Sequence, residues 1–200
     1  TVPSAPKRSA ALTATARDFS QGNFQSTSNA MDMVIEGDGF FQITMPDGTL
    51  AYTRNGAFKL DGNGNVVTSE GYLMEPAIQV PEGSTDFGVS RDGIVTITPA
   101  GQTTPQEIGQ ITIARFINNA GLKSIGKNLY TETVASGAPV VGNPGDNNSG
   151  TIVTNFVEMS NVQVVDEMVN MIVAQRAYEM NSKAVTTADS MLEVAAGLKR

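Results

Sequence analysis

Cysteine, histidine and tryptophan are all missing from this chain of 200 residues. Without imidazole or thiolate, a Ser-His-Asp triad, a Cys-His pair and an ordinary zinc site are excluded. The chemistry that remains is that of carboxylates, Lys, Tyr and Ser. The lack of cysteine also suits an oxidising compartment. Positive charge is scarce, with 13 Lys and Arg against 20 Asp and Glu, a net charge of -7 and a pI near 4.5. The basic residues are scattered, whereas a polyanion needs them clustered to replace its counterions, so no nucleic-acid partner is expected. No apolar run approaches the roughly 20 residues of a membrane span, and no short apolar segment follows a basic start as in a signal peptide. No membrane insertion is expected, and export, if it occurs, takes another route. Hydrophobic residues make up 40% and charged residues 16%. A chain of this length and composition buries roughly 70% of its unfolded surface, so a soluble folded body is expected.

Residues 1–30 are rich in Ser, Thr, Ala and Asn, with Pro3 and Pro6 near the start, and read as an extended arm. From residue 31 to about residue 141 short apolar alternations are broken by glycine. Phe41, Ile43 and Met45 alternate with Gln42 and Thr44, and Ile111 and Ile113 flank Thr112, as in half-buried strands. Asp-Gly pairs at 38–39, 47–48, 61–62 and 92–93 and Asn-Gly at 55–56 mark tight turns, because these residues tolerate positive φ. Turns this frequent predict an antiparallel β domain. The stretch GNPGDNNSG at 142–150 admits no regular structure, so residues 142–157 read as loop and linker.

Residues 158–200 change to a helical period. Apolar residues fall at Val162, Val165, Val169, Val173, Ala177, Met180, Ala184, Ala188, Met191, Ala195 and Leu198. The mean step is about 3.6 residues, the period of a straight α-helix, so one stripe runs the length of the element. Asp166 and Glu167 near its start and Lys199 and Arg200 at its end follow the order that the helix dipole favours, and Ser160 is a candidate N-cap. Met168, Met171, Ile172 and Val185 widen the apolar face, as suits packing among several neighbours. A helix this long outreaches the β domain that the preceding residues can form, and alone it is marginal. The stripe is therefore expected to be shielded, by another chain or by the protein's own body. Exposure along its full length would count against that expectation. The fold class is mainly β with a long C-terminal α-helix.

Candidate chemical sites are weak. Asp61, Asn63 and Asn65 match the opening of a calcium loop, but Val66 stands where that loop needs glycine and Tyr72 where it needs a bidentate Glu. Glu36 and Asp38, spaced by two, share one face of a strand, the pairing of acids that a glycosidase uses across a sugar bond, but a glycine-flanked turn is the simpler reading. Gly126, Lys127 and Asn128 lack the remainder of a phosphate-binding loop. Phe40, Phe41, Tyr52 and Phe58 read as β core. No metal, cofactor or small-molecule substrate is expected. A secreted β-domain hydrolase or carbohydrate binder with a dimerising helix stands as the alternative, and it requires a concave site lined with acids and aromatics.

Two segments carry a resemblance. RDFSQGNFQST at 17–27, DMVIEGDGFFQI at 32–43 and YTRNGAFKLDGNGNVVTSEGYLM at 52–74 form the first; the stretch beginning EMSNVQVVDEMVNMIVAQRAYEMNSKA at 158–184 forms the second. Together they resemble the flagellar rod and hook axial protein family, and QRAYEMNSKA, with GLKSIGKNLYTETVASGAP at 121–139, resembles its distal rod branch. The resemblance implies a non-enzymatic, self-assembling structural subunit of the bacterial flagellum. By it, such a subunit leaves through flagellar type III export, works in the periplasmic basal body, and stacks into a helical tube that transmits torque from motor to hook. Its implied partners are further copies of itself and other rod, hook and ring proteins. Stacking of this kind uses heterologous contacts. The implied interface comprises the stripe and the polar residues Arg176, Tyr178, Glu179, Asn181 and Lys183, whose bland reading is a solvated face with a Glu179 to Lys183 pair. Family members begin with a helical segment that pairs with the C-terminal helix, and this sequence starts after that point, which reads as a trimmed chain.

Overall fold

The computed structural model describes residues 17–146 and 148–197. Residues 1–16 of the expected arm, and Leu198, Lys199 and Arg200, lie outside the described residues. The chain divides into two compact units, one ending at Met159 and the other starting at Ser160. The first is built of strands and the second of one helix.

The first unit is organised on two strands that enter early. β1 (Phe24–Ser26) is followed by β2 (Met33–Glu36) and β3 (Phe40–Thr44). A strand has two edges, and β3 uses both. β4 (Leu50–Thr53) takes one edge of β3, with Phe41 opposite Thr53 and Thr44 opposite Leu50. The other edge is shared, because β7 (Leu73–Glu75) pairs with Gln42 to Thr44 while β11 (Ile113–Arg115) pairs with Phe40 and Phe41. β5 (Phe58–Leu60) and β6 (Val66–Thr68) extend the sheet beyond β7. On the β4 side come β13 (Leu129–Thr131) and then β12 (Lys123–Gly126), and β14 (Val140–Gly142) pairs with β11. These nine strands form one antiparallel sheet. A smaller antiparallel sheet contains β8 (Thr85–Val89), β9 (Ile94–Thr98) and β10 (Gln106–Gln110). β15 (Thr151–Thr154) pairs with β2, and β16 (Phe156–Glu158) pairs with β1.

Successive side chains on a strand point to opposite faces, so Phe40 and Phe41 go opposite ways. Both are buried. Phe41 joins Met33, Ile35, Phe58, Met74 and Ile113 in the larger core, while Phe40 joins Tyr52, Ala114, Phe116 and Leu122 in a second cluster. The reading of β3 as a half-buried strand therefore needs correction, since it is covered on both faces. Gln42, on the Phe40 side, is buried as well and donates from Nε2 to the Thr112 hydroxyl at 3.0 Å. A buried amide without that acceptor would carry its full desolvation cost. Phe19 of the arm packs edge-on against Phe40 and lies 5.4 Å from Tyr130.

The reading of residues 142–157 as loop and linker is also corrected. Gly142 closes β14, and β15 and β16 both fall in that stretch. Their partners lie more than a hundred residues earlier, with Ile152 opposite Ile35 and Phe156 opposite Ser26. The arm likewise contributes β1. Of the five marked turns, 47–48, 61–62 and 92–93 close hairpins between β3 and β4, β5 and β6, and β8 and β9. Those at 38–39 and 55–56 join strands that do not pair with one another. At Gly56 the need for glycine is steric, since a Cβ there would lie 1.6 Å from the Met33 carbonyl oxygen.

Two outcomes follow from this packing. Gly56→Ala should destabilise the β unit by about 3 kcal/mol, lowering its melting temperature by roughly 10 °C. Gly62→Ala, where added Cβ meets open space, should change it little; equal melting for the two variants would contradict the steric account. In the 61–62 hairpin the Asp61 carboxylate accepts from the Asn65 side chain and from the backbone N–H groups of Asn65 and Asn63. These bonds, the Asn65 side chain first, hold its pKa below the ordinary 3.8. A depressed folded pKa gives stability that is present above the unfolded pKa and lost as pH falls through the folded one. The melting difference between wild type and Asp61→Asn should therefore be flat above about pH 5 and shrink below about pH 4.

Candidate assembly site

The second unit is α1 (Val164–Gly197), 34 residues with no proline and glycine only at its last position. At about 1.5 Å per residue it is roughly 50 Å long. Asp166 and Glu167 occupy its first turn, where the exposed N–H groups favour negative charge. Ser160 does not cap it. The helix starts four residues later, and the Ser160 hydroxyl instead accepts from the Val162 N–H at 3.2 Å, a local turn that competes with helix. Towards the other end Thr186 and Thr187 donate their hydroxyls to the Lys183 carbonyl, which lets these polar side chains sit on the helix without an outside partner.

Val162 precedes α1. Val165, Val169, Val173, Ala177, Met180, Ala184, Ala188 and Met191 lie on it and are exposed, the Val and Met side chains from 52% at Val169 to 71% at Val165. Ala195 is in the helix, but its side chain is outside what the structure describes. Met168, Met171, Ile172, Val185, Leu192 and Val194 are exposed too, so apolar surface extends around the helix beyond the stripe. Taken by itself, α1 carries the stripe exposed. The three buried clusters of the β unit are built from residues between Met33 and Ile152. Exposed apolar surface of this extent is unusual for a protein that works alone.

The polar residues of the site, Arg176, Tyr178, Glu179, Asn181 and Lys183, are exposed on the same helix. Glu179 pairs with Arg176 at 3.8 Å and not with Lys183 as the spacing suggested. Both partners are open to water, so the pair contributes little to stability. Met171, Ala174, Gln175, Tyr178 and Glu179 line a shallow depression of about 410 Å³. It holds one acid, already paired, and one aromatic ring, which is not the convergent arrangement a hydrolase needs.

The other candidates are placed in turns and strands. Asp61 spends its carboxylate on the hairpin described above. Glu36 lies opposite Thr151 in the β2–β15 pair, and the Asp38 carbonyl accepts from the Gly150 N–H. Lys127 and Asn128, with φ of 52° and 60°, form the turn between β12 and β13. Among the described residues no group of three or more acidic side chains is placed to hold a metal ion, and no helix is long and apolar enough to cross a membrane.

A polar cluster escaped the sequence reading. The Arg54 guanidinium, just after β4, bonds to Glu158 at 3.0 Å and to the carbonyl oxygens of Gly37, Gly39 and Ile35 at 2.8, 3.0 and 3.1 Å. Glu158 also accepts from the Gly22 N–H, and Gln21 bridges the Ile35 carbonyl and the Gly37 N–H. The side chains of Arg54 and Glu158 are only 18% and 12% exposed. The visible signal was Arg54 in YTRNG, but nothing in its spacing names carbonyl oxygens as its partners.

Comparison with known proteins bears on both units. Residues 34–97 match the family profile described as flagellar hook protein FlgE/F/G D1 domain, and residues 153–198 that described as flagellar basal body rod FlgEFG protein C-terminal. The flagellar basal-body rod protein FlgG of Borreliella burgdorferi is 51% identical over 94% of this chain and 72% of its own length. The FlgG protein of Buchnera aphidicola is 49% identical over 90% of this chain and 69% of its own. The flagellar hook protein FlgE of Escherichia coli is more distant, at 36% over 69% of this chain and 33% of its own length. Similarity at this level runs through the β unit and the helix together, and the chain belongs to the FlgG family of flagellar basal-body rod proteins.

Proposed function

We propose that this chain is a structural, non-catalytic subunit of the bacterial flagellar basal-body rod, in its distal part. It stacks with further copies of itself into a helical tube and contacts other rod, hook and ring components. Its work is mechanical, passing torque from the motor to the hook. It reaches the periplasmic basal body unfolded, through flagellar type III export. The observation that carries this reading is the identity of about half the residues with FlgG rod proteins across nine-tenths of the chain. The weaker and shorter match to a hook protein favours rod over hook.

The exposed apolar surface of α1 supports assembly in a second way. Water contact along such a helix is unfavourable, and covering it against like helices removes that cost. Val162, just before α1, with Val165, Val169, Val173, Ala177, Met180, Ala184, Ala188, Met191 and Ala195, forms the apolar part of the interface. Arg176, Tyr178, Glu179, Asn181 and Lys183 provide its polar contacts.

The reading is tested by replacing Val169 and Val173 together with Asp. Both side chains face water in the single chain, so the melting temperature of the β unit should stay within about 2 °C of wild type. Swarming of cells carrying the double variant should be lost, because charge is placed where neighbouring copies meet. Normal swarming would remove the helix from the interface.

A further inference from the structure

We propose that Arg54 is the positioning residue for β16, the strand from which the chain passes into α1. The cluster around it draws on four separated stretches: Gln21 and Gly22 from the arm, Ile35 to Gly39 from the end of β2 and the turn after it, Arg54 itself, and Glu158 at the end of β16. All four lie within the first unit, and three of them supply groups that bond the guanidinium or its carboxylate partner directly. The turn after β2 is shaped for this contact. Gly37 has φ of 109° and Gly39 of 149°, outside the range that side chains readily accept, and both carbonyls accept from the same guanidinium nitrogen.

The need for such a fastening comes from the weakness of what it fastens. β1 and β16 pair over three residues each, with Phe24 opposite Glu158, and a two-stranded ribbon that short has marginal stability. Apolar burial holds it only in part, because β1 is exposed throughout, β16 is half-buried, and neither supplies a buried member of the three core clusters. Backbone bonds from Thr27 to Asn155 and from Met159 to Asn23 close its two ends. The arginine adds a rigid fork of donors with a fixed charge, largely withdrawn from water, that grips Glu158 and three carbonyls at once. Among the described residues, removing it leaves Glu158 with no ion-pair partner while the cores keep their apolar members.

Lysine is a poor substitute, since a single ammonium cannot span four acceptors. Glu158→Gln keeps a side-chain oxygen for Gly22 or Arg54 and leaves the carbonyl contacts in place. The ribbon should therefore loosen most in Arg54→Ala, less in Arg54→Lys and least in Glu158→Gln. For rod assembly the consequence is that the helix departs from a strand of uncertain register, a step that rests on the rod reading above.

Hydrogen exchange on the purified chain tests the fastening itself. In Arg54→Ala the amides of residues 22–26 and 156–159 should exchange about tenfold faster, while those of β3 and β4 change by less than about threefold. Unchanged exchange in the ribbon, or an equal rise in ribbon and core, would overturn the proposal. The same substitution in the gene encoding this chain should reduce swarming in the same order as ribbon exchange rises across the three variants. A ribbon that opens selectively while swarming stays normal would overturn its role in assembly. The exchange result stands whatever the cellular role, so failure of the rod reading alone would show as selective exchange in a chain that has no effect on motility even when deleted.

Discussion

Apolar side chains on α1 stand in water along its described length, and that unmet burial is the constraint from which the account of the molecule follows. Helical hydrogen bonds satisfy the backbone, but most helical stability in proteins comes from packing an apolar face. The β unit has its own cores, gathered around Phe40, Phe41, Tyr52 and Met74. A stripe with the straight-helix period and further Val, Met and Ile around it suits several neighbours at once. In a helical stack each copy meets its neighbours through unlike faces, so surface all round a helix finds occupants.

The sequence pattern alone was equally compatible with a helix packed on its own sheet, and the expectation common to both versions was shielding. Assembly is supported by the relatives, whose similarity continues through the helix.

What was legible in the residues was what local chemistry decides. The 3.6-residue period gave the helix, and Asp-Gly pairs flanked by alternating strands gave three hairpins. What escaped depends on partners far away in the chain. Thr151 to Thr154 is too short to announce a strand beside a glycine-rich loop, and becomes one because Met33 to Glu36 offers an edge. β3 is buried on both faces because β-unit residues near Phe116 and Leu122 cover the Phe40 side. Ser160 looked like a cap, but its hydroxyl serves the Val162 N–H before the helix begins. Arg54 was invisible as a hub because its acceptors are backbone oxygens, which no side-chain pattern encodes.

The fold thus separates two tasks. The β unit completes its own packing and gathers its polar ties at Arg54, and the helix leaves its apolar surface open for association. Electron cryo-microscopy of the assembled particle containing this chain addresses the central claim most directly. Val165, Val169, Val173 and Met180 are expected within van der Waals contact of apolar side chains from neighbouring subunits. An assembled particle in which those side chains still face solvent would contradict it.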